Sequence, residues 1–299
     1  MLELNLVYEG ASDIDYKISK FPDGQQDITI TKLGVVTPVR QVNEVIIKSS
    51  FNNFKDLELI IAATKALRNL KVERIHLYIP YILGARSDRK FVEGGTSYLR
   101  DVIAPILNAQ KYITVTCIDA HSDVAAACIN NLEVIDNSWF VKVALTKQNQ
   151  ISLQNAVDSF TLISPDAGAL KKIYNLAEKI GYKRDILIAS KHRDITTGKI
   201  LSTYVPLKAG EHTNNNFLIV DDICDGGRTF IEIAKAIHEM RPDAKVSLAI
   251  THGIFSGGYY ELSKHIDHIY CTNSVKDVEV ESDSDYTVSE DYITQINVY

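Results

Sequence analysis

An α/β fold with mainly parallel sheets, built in two similar halves, is what this 299-residue sequence predicts. Three observations predict it. Short apolar runs of strand length alternate with segments of helical periodicity. The alternation restarts after the polar stretch Lys147–Asn155, which sets the expected domains at 1–146 and 147–299. In the second half, one apolar run leads straight into paired carboxylates and a glycine-rich turn, the pattern of a strand end feeding a binding loop and a helix.

The elements follow in order. Leu2–Tyr8 alternates apolar and polar residues, and Gln26–Leu33 does so less cleanly, so both read as strands at a sheet edge. Val45–Lys48 is a short strand. Phe54–Asn69 carries Leu, Ile and Ala at helical spacing, and Arg74–Pro80 returns to strand, completing a β-α-β unit. Ser97–Ala109 reads as a helix and Tyr112–Ile118 as a buried strand leading to Asp119 and His121. In the second half Phe160–Ser164, Asp185–Ala189, Phe217–Val220 and Ala244–Thr251 read as strands; Ala169–Ile180 and Thr229–Met240 read as helices. Between Lys276 and Asp291 seven acidic residues face one lysine, the composition of a solvated edge or tail. The halves share no clean sequence repeat, so any duplication is structural.

Composition narrows the function. With 45% hydrophobic and 23% charged residues the chain has enough apolar surface for two cores. A formal charge of −6 argues against general nucleic-acid binding, while leaving room for a locally basic phosphate pocket. Met1 runs into Leu-Glu-Leu-Asn-Leu without a basic leader, and no stretch approaches the roughly 18 apolar residues of a membrane span. A cytoplasmic protein without membrane partners is expected. Cys117, Cys128, Cys224 and Cys271 lack the spacing of a zinc site and read as reduced, buried thiols.

The most informative segment is Phe217-Leu-Ile-Val-Asp-Asp-Ile-Cys-Asp-Gly-Gly-Arg-Thr-Phe230. At a strand end, Asp221 and Asp222 can accept hydrogen bonds from vicinal sugar hydroxyls. The backbone N–H groups of Asp225, Gly226, Gly227, Arg228 and Thr229 can surround a phosphate at the following helix N-terminus, with the glycines letting that backbone approach. An acidic hairpin turn is the other reading, since Asp-Gly pairs mark turns. The loop resembles the phosphoribosyl pyrophosphate (PRPP) loop shared by type I phosphoribosyltransferases and by ribose-phosphate diphosphokinases, the PRPP synthetases.

Four further segments resemble the PRPP synthetases specifically, so that the likeness runs roughly from Lys20 to Thr272. Lys20-Phe-Pro-Asp-Gly-Gln25 is similar to that family's nucleotide segment, implying that Phe21 stacks on adenine, Asp23 accepts from its exocyclic amine and Gln25 stands where relatives carry glutamate. Ile79-Pro-Tyr-Ile-Leu-Gly-Ala-Arg-Ser-Asp-Arg-Lys90 is similar to its Pro-Tyr-x-x-Tyr-Ala-Arg-Gln-Asp-Arg-Lys run. This implies that Arg86, Ser87 and Asp88 contact ATP, with Arg89 and Lys90 adding positive charge. Val115-Thr-Cys-Ile-Asp-Ala-His121 ends as the family's histidine-bearing strand does, implying His121 as an ATP contact and a ligand of magnesium. Leu162-Ile-Ser-Pro-Asp-Ala-Gly168 and Ile188-Ala-Ser-Lys-His-Arg193 are similar to its Ser-Pro-Asp segment and Lys-x-Arg loop. These imply Asp166 as a metal ligand or a ribose contact and Lys191 and Arg193 as catalytic cations, with Thr196, Thr197 and Gly198 in a lid. Thr251-His-Gly-Ile-Phe-Ser-Gly257 is a further family marker.

The resemblance implies two tandem type I phosphoribosyltransferase-like domains with the active site between them, Mg2+ as cofactor, and a homo-oligomer built from dimers, the family commonly forming hexamers. It also implies the reaction: the diphosphoryl group of ATP passes to the anomeric hydroxyl of ribose 5-phosphate, giving PRPP and AMP. Two alternatives share part of the pattern. A PRPP-consuming phosphoribosyltransferase has the loop but no use for the segments around Phe21 and Arg86. A catalytically silent, synthetase-associated regulator has the fold without the chemistry.

Overall fold

The computed structural model describes residues 1–33, 42–149, 152–193, 200–207, 214–278, 282–283, 286–287 and 290–299. It divides into two compact units, Met1–Asp136 with Val298–Tyr299, and Asn137–Asn297.

In the first unit a parallel five-stranded sheet forms from β1 (Leu2–Asn5), then, past the antiparallel hairpin of β2 (Asp15–Lys20) and β3 (Gln26–Lys32), β4 (Glu44–Lys48). Helix α1 (Phe54–Asn69) leads to β5 (Arg74–Tyr78), α2 (Ala104–Ala109) to β6 (Val115–Ile118), and α3 (Asp123–Cys128) to β7 (Leu132–Ile135). The sheet order is β1-β4-β5-β6-β7. α1 starts where its sequence dictates: the Asn53 side chain accepts from the Lys55 and Asp56 N–H groups, and the Asp56 carboxylate accepts from the Asn53 N–H. Such a reciprocal cap stabilises a helix by about 1 kcal/mol. Its Leu57, Ile60, Ala63 and Leu67 fall on one face and are buried against the strands.

In the second unit α4 (Ser138–Asn149) and α5 (Leu153–Asp158) precede β8 (Thr161–Ser164), α6 (Leu170–Ile180), β9 (Leu187–Ile188) and the antiparallel pair β10 (Ser190–Arg193) and β11 (Ile200–Tyr204). Then come β12 (Asn216–Cys224), α7 (Arg228–Met240), β13 (Lys245–Gly253), α8 (Tyr260–Ser263) and β14 (His268–Thr272). The short pair β15 (Ser282–Asp283) and β16 (Tyr286–Thr287) precedes β17 (Ile293–Ile296). The parallel sheet runs β17-β14-β13-β12-β8-β9. Its central strands carry apolar runs, Phe217–Val220 in β12 and Leu248–Ile250 in β13, because both faces are covered there. Phe217 and Ile219 join α7 in one core, whereas Leu218 and Val220 join α4, α5 and α6 in the other.

Several boundaries depart from expectation. The division expected at 146/147 would cut α4, whose Phe140, Val141, Ala144 and Leu145 belong to a core of the second unit; that unit therefore begins at Asn137. The strand expected to stop at Val220 runs to Cys224, because Asp221, Ile223 and Cys224 keep their ladder partners Ile250, His252 and Gly253. The helix expected from Ser97 opens instead with a π-helical turn, Leu99–Ile103, and becomes α-helical at Ala104. Strand β6 begins only at Val115, after Lys111 turns the chain with φ 56°.

Candidate active site

The second unit collects its chemistry at the carboxyl ends of β8 and β12. Alternation along β12 sends Asp222 to the face of Leu218 and Val220, where α6 packs. There its carboxylate meets Lys172, Oδ2 lying 2.9 Å from Nζ. Asp221 accepts the Asp222 N–H at 2.9 Å. Its carboxyl is held well above the usual carboxylate range, first by burial and then by the charges of Asp222 and Asp166. The third carboxylate, Asp166, follows β8 and is locked by its own turn: Oδ1 accepts the N–H groups of Gly168 and Ala169 at 3.0 and 3.1 Å.

Past Cys224 the chain turns through Asp225, Gly226 and Gly227 into α7. Gly227 takes φ 75° at the helix N-cap without a side-chain capping bond, leaving the first turn of α7 directed at whatever sits above it. A Cβ at Gly227 would lie 2.7 Å from Leu262 Cδ2, so both conformation and space demand glycine. Asp225 is fixed by the hydroxyl of Ser256, which donates to its Oδ1. Arg228 is exposed and Thr229 half-buried, both in the first turn of α7. Cys224 is buried, and burial together with the charges of Asp221 and Asp225 pushes its thiol up to about 12, so it is an inert filler of the turn.

In the first unit the carboxyl ends of β5 and β6 carry a second group. The Ser87 N–H donates to Gly84 O at 2.8 Å, a tight turn that sets Arg86 outward and exposed. Asp88 is tied to the next loop by the Ser122 hydroxyl, which donates to its Oδ2 at 2.5 Å. The same Ser122 oxygen accepts the Val124 N–H and caps α3. Asp119 holds φ 42° and is buried, the bend that delivers the exposed His121 just ahead of that cap. Phe21, Asp23 and Gln25 form the tip of the β2–β3 hairpin: Phe21 N–H donates to Gln25 O, and Asp23 Oδ1 accepts the Gln25 N–H. The tip is an ordinary turn with the Phe21 ring 49% exposed, open to stacking. Gln26 anchors it by bonding Lys55 O and Glu58 in the first turns of α1.

The phosphoribosyl transferase domain family matches residues 131–285, 155 of the 299 residues. The chain belongs to this family. Over a longer span it is 28% identical to the ribose-phosphate pyrophosphokinase of Thermosipho africanus, covering 90% of this chain and 80% of that protein. The Pyrococcus furiosus ribose-phosphate pyrophosphokinase is 26% identical, covering 90% and 89%. The fold matches that of a phosphoribosylpyrophosphate synthetase from Mycobacterium smegmatis with a TM-score of 0.70 at 17% identity, over 95% of this chain and 86% of the other. The resemblance read in the sequence, to an α/β phosphoribosyltransferase-like fold and to this group of enzymes, is therefore borne out.

Within the phosphoribosyl transferase unit the structure brings Asp166, Asp221 and Asp222 together with Lys172, and puts Asp225–Thr229 on the turn into α7. In the first unit it joins Asp88 to the loop of His121 and sets Phe21, Asp23 and Gln25 apart on a hairpin. Lys191 and Arg193 lie on β10, opposite Thr203 and Ile200. Thr196, Thr197 and Gly198 fall outside the described residues. Sequence reasoning missed Lys172, Ser122 and Ser256. The available signal for Lys172 was a lysine pair in the first turn of a helix with no acidic residue there.

Proposed function

We propose that the protein is a ribose-phosphate diphosphokinase: the anomeric hydroxyl of ribose 5-phosphate attacks the β-phosphorus of ATP, the diphosphoryl group moves to the sugar, and AMP leaves. The observation that carries this reading is that one chain holds two chemically distinct groups, one in each unit. Adjacent carboxylates above a glycine-rich helix start suit a sugar phosphate. An exposed arginine beside the tethered Asp88 and His121 loops suits a nucleotide, which a PRPP-consuming transferase would not need. The names of the relatives along most of the chain support the same reading.

In this mechanism Asp221 and Asp222 accept from the ribose hydroxyls, and the N–H groups from Asp225 to Thr229 hold the 5′-phosphate. Phe21 stacks on adenine while Asp23 and Gln25 meet its polar edge. Arg86 takes phosphate oxygens with Ser87 and Asp88 beside it, and Lys191 and Arg193 stabilise charge on the transferring group. Asp166 presents carboxylate oxygen, the donor a hard divalent cation prefers, whereas the ring nitrogen of His121 is an uncommon magnesium ligand. Among the described residues no three His, Cys, Asp or Glu side chains are grouped to hold a metal ion. His121 in the first unit and Asp166 in the second are each proposed as magnesium contacts, where the ion would neutralise phosphate charge.

A cytoplasmic setting is part of this reading, supported by four cysteines that are all free. No helix among the described residues is long and apolar enough to cross a membrane. A dimer-based homo-oligomer completes the proposal. Incubating the purified chain with ATP, Mg2+ and ribose 5-phosphate should yield AMP and PRPP; consumption of PRPP with a nucleobase, or no turnover of either kind, would contradict the proposal.

Because Ser122 ties Asp88 in place, Ser122→Ala should raise KM for ATP about 3- to 10-fold while KM for ribose 5-phosphate stays unchanged. Loss of the α3 cap should lower stability by about 1 kcal/mol. Steady-state kinetics and a thermal melt check both; equal shifts in the two KM values would place Ser122 outside the nucleotide half-site.

A further inference from the structure

Lys172 occupies an electrostatically unfavourable place. It lies in the first turn of α6, at the positive end of the helix dipole, beside Lys171 and with no acidic residue in that turn. The offset comes from the sheet, through the 2.9 Å ion pair with Asp222. The pair is asymmetric: the Asp222 side chain is 7% exposed and the Lys172 side chain 33%. A carboxylate so enclosed needs a counter-charge, the more so when its sequence neighbour Asp221 is another carboxylate whose charge acts on it. Like charges this close push each other toward solvent, which for Asp222 means rotating away from the edge of β12 that faces the proposed sugar.

We propose that Lys172 is a positioning residue for ribose 5-phosphate, acting through its ion pair to hold Asp222 at the strand end so that Asp221 and Asp222 present one fixed acceptor edge to the sugar. This rests on the reading of the 221–229 segment as the ribose 5-phosphate site. The amino group does its work through Asp222 rather than by touching the sugar. Arginine, which keeps the charge and reaches similarly, should substitute for it; methionine, which keeps the length and loses the charge, should not.

The test is ribose 5-phosphate binding, measured calorimetrically on the full chain with Mg2+ and no nucleotide. Wild type is compared with Lys172→Met, Lys172→Arg, Asp222→Asn and the Lys172→Met/Asp222→Asn double variant. Lys172→Met should weaken binding at least ~10-fold, with KM for ribose 5-phosphate rising more than kcat falls. Lys172→Arg should return to within about threefold of wild type. With Asp222 already neutral, adding Lys172→Met should cost less than about threefold more, because both act through one interaction. Unchanged affinity in Lys172→Met, or fully additive losses in the double variant, would overturn the proposal. A folded wild type that binds no ribose 5-phosphate overturns the reading of the loop as well, a distinct result. Should Lys172→Met not fold by circular dichroism, the cycle is run with Lys172→Gln under the same criteria.

Discussion

Replacing Lys191 with alanine should lower kcat by about 100- to 1,000-fold while ribose 5-phosphate affinity stays close to wild type. The reason is where the charge builds. In a diphosphoryl transfer the protein forms no covalent bond to either substrate, so its rate enhancement comes from positioning and from cations that meet the transferring group. In the proposed mechanism the acceptor sugar is held by a different element, the end of β12 and the turn into α7, whereas Lys191 sits on β10 opposite Thr203. Loss of Lys191 should therefore spare ground-state sugar binding. Steady-state kinetics with a parallel calorimetric titration separate the two. A kcat within about twofold of wild type removes Lys191 from the chemistry, and an equal loss of sugar affinity makes it a binding residue instead.

Gly227→Ala should both destabilise the second unit and weaken ribose 5-phosphate binding. Two costs coincide at this position. The residue holds φ 75°, which an alanine adopts only with strain, and the added Cβ would lie 2.7 Å from Cδ2 and 3.0 Å from Cγ of Leu262, itself buried on α8. Together these should amount to ~1–3 kcal/mol, a fall in Tm of roughly 2–10 °C. Relief by shifting the turn would misdirect the first N–H groups of α7. Gly226→Ala serves as the control for stability, since its Cβ would have no neighbour closer than Ser256 Oγ at 4.0 Å. Thermal melts of the two variants check the difference; equal Tm values would show that the turn tolerates a side chain at 227.

Most of the architecture was legible because parallel α/β units carry strong local signals. Phe54–Asn69 was expected and is observed as α1, since its Asn cap and its apolar stripe agree. The start of the central strand β12, Phe217–Val220, is visible as an unbroken apolar run. What local pattern could not give was the extent of β12 through Asp221 and Asp222, because two adjacent carboxylates read as a strand end. Only the ladder to β13 reveals that the strand continues. The unit boundary was misplaced for a related reason: α4 is assigned by what its Phe140 and Ala144 pack against, a long-range fact.

The candidate site was readable as motifs and not as couplings. Asp221, Asp222 and Asp225–Thr229 stand in one stretch, and their order alone suggests a phosphate loop at a helix start. The tether between Asp88 and Ser122 spans 34 residues and that between Lys172 and Asp222 spans 50. Neither is written in local periodicity. Phe21 illustrates the opposite case: its hairpin could be read, but the structure gives the ring an exposed setting whose partner is set by chemistry beyond the turn itself.

The most direct test of the central claim is phosphorus NMR of a reaction holding the purified chain, ATP, Mg2+ and ribose 5-phosphate. Diphosphoryl transfer predicts AMP appearing in equal amount with a new pair of coupled diphosphate resonances on the sugar, and no ADP. Formation of ADP with a singly phosphorylated product, or spectra that do not change with enzyme that is folded, would contradict the account.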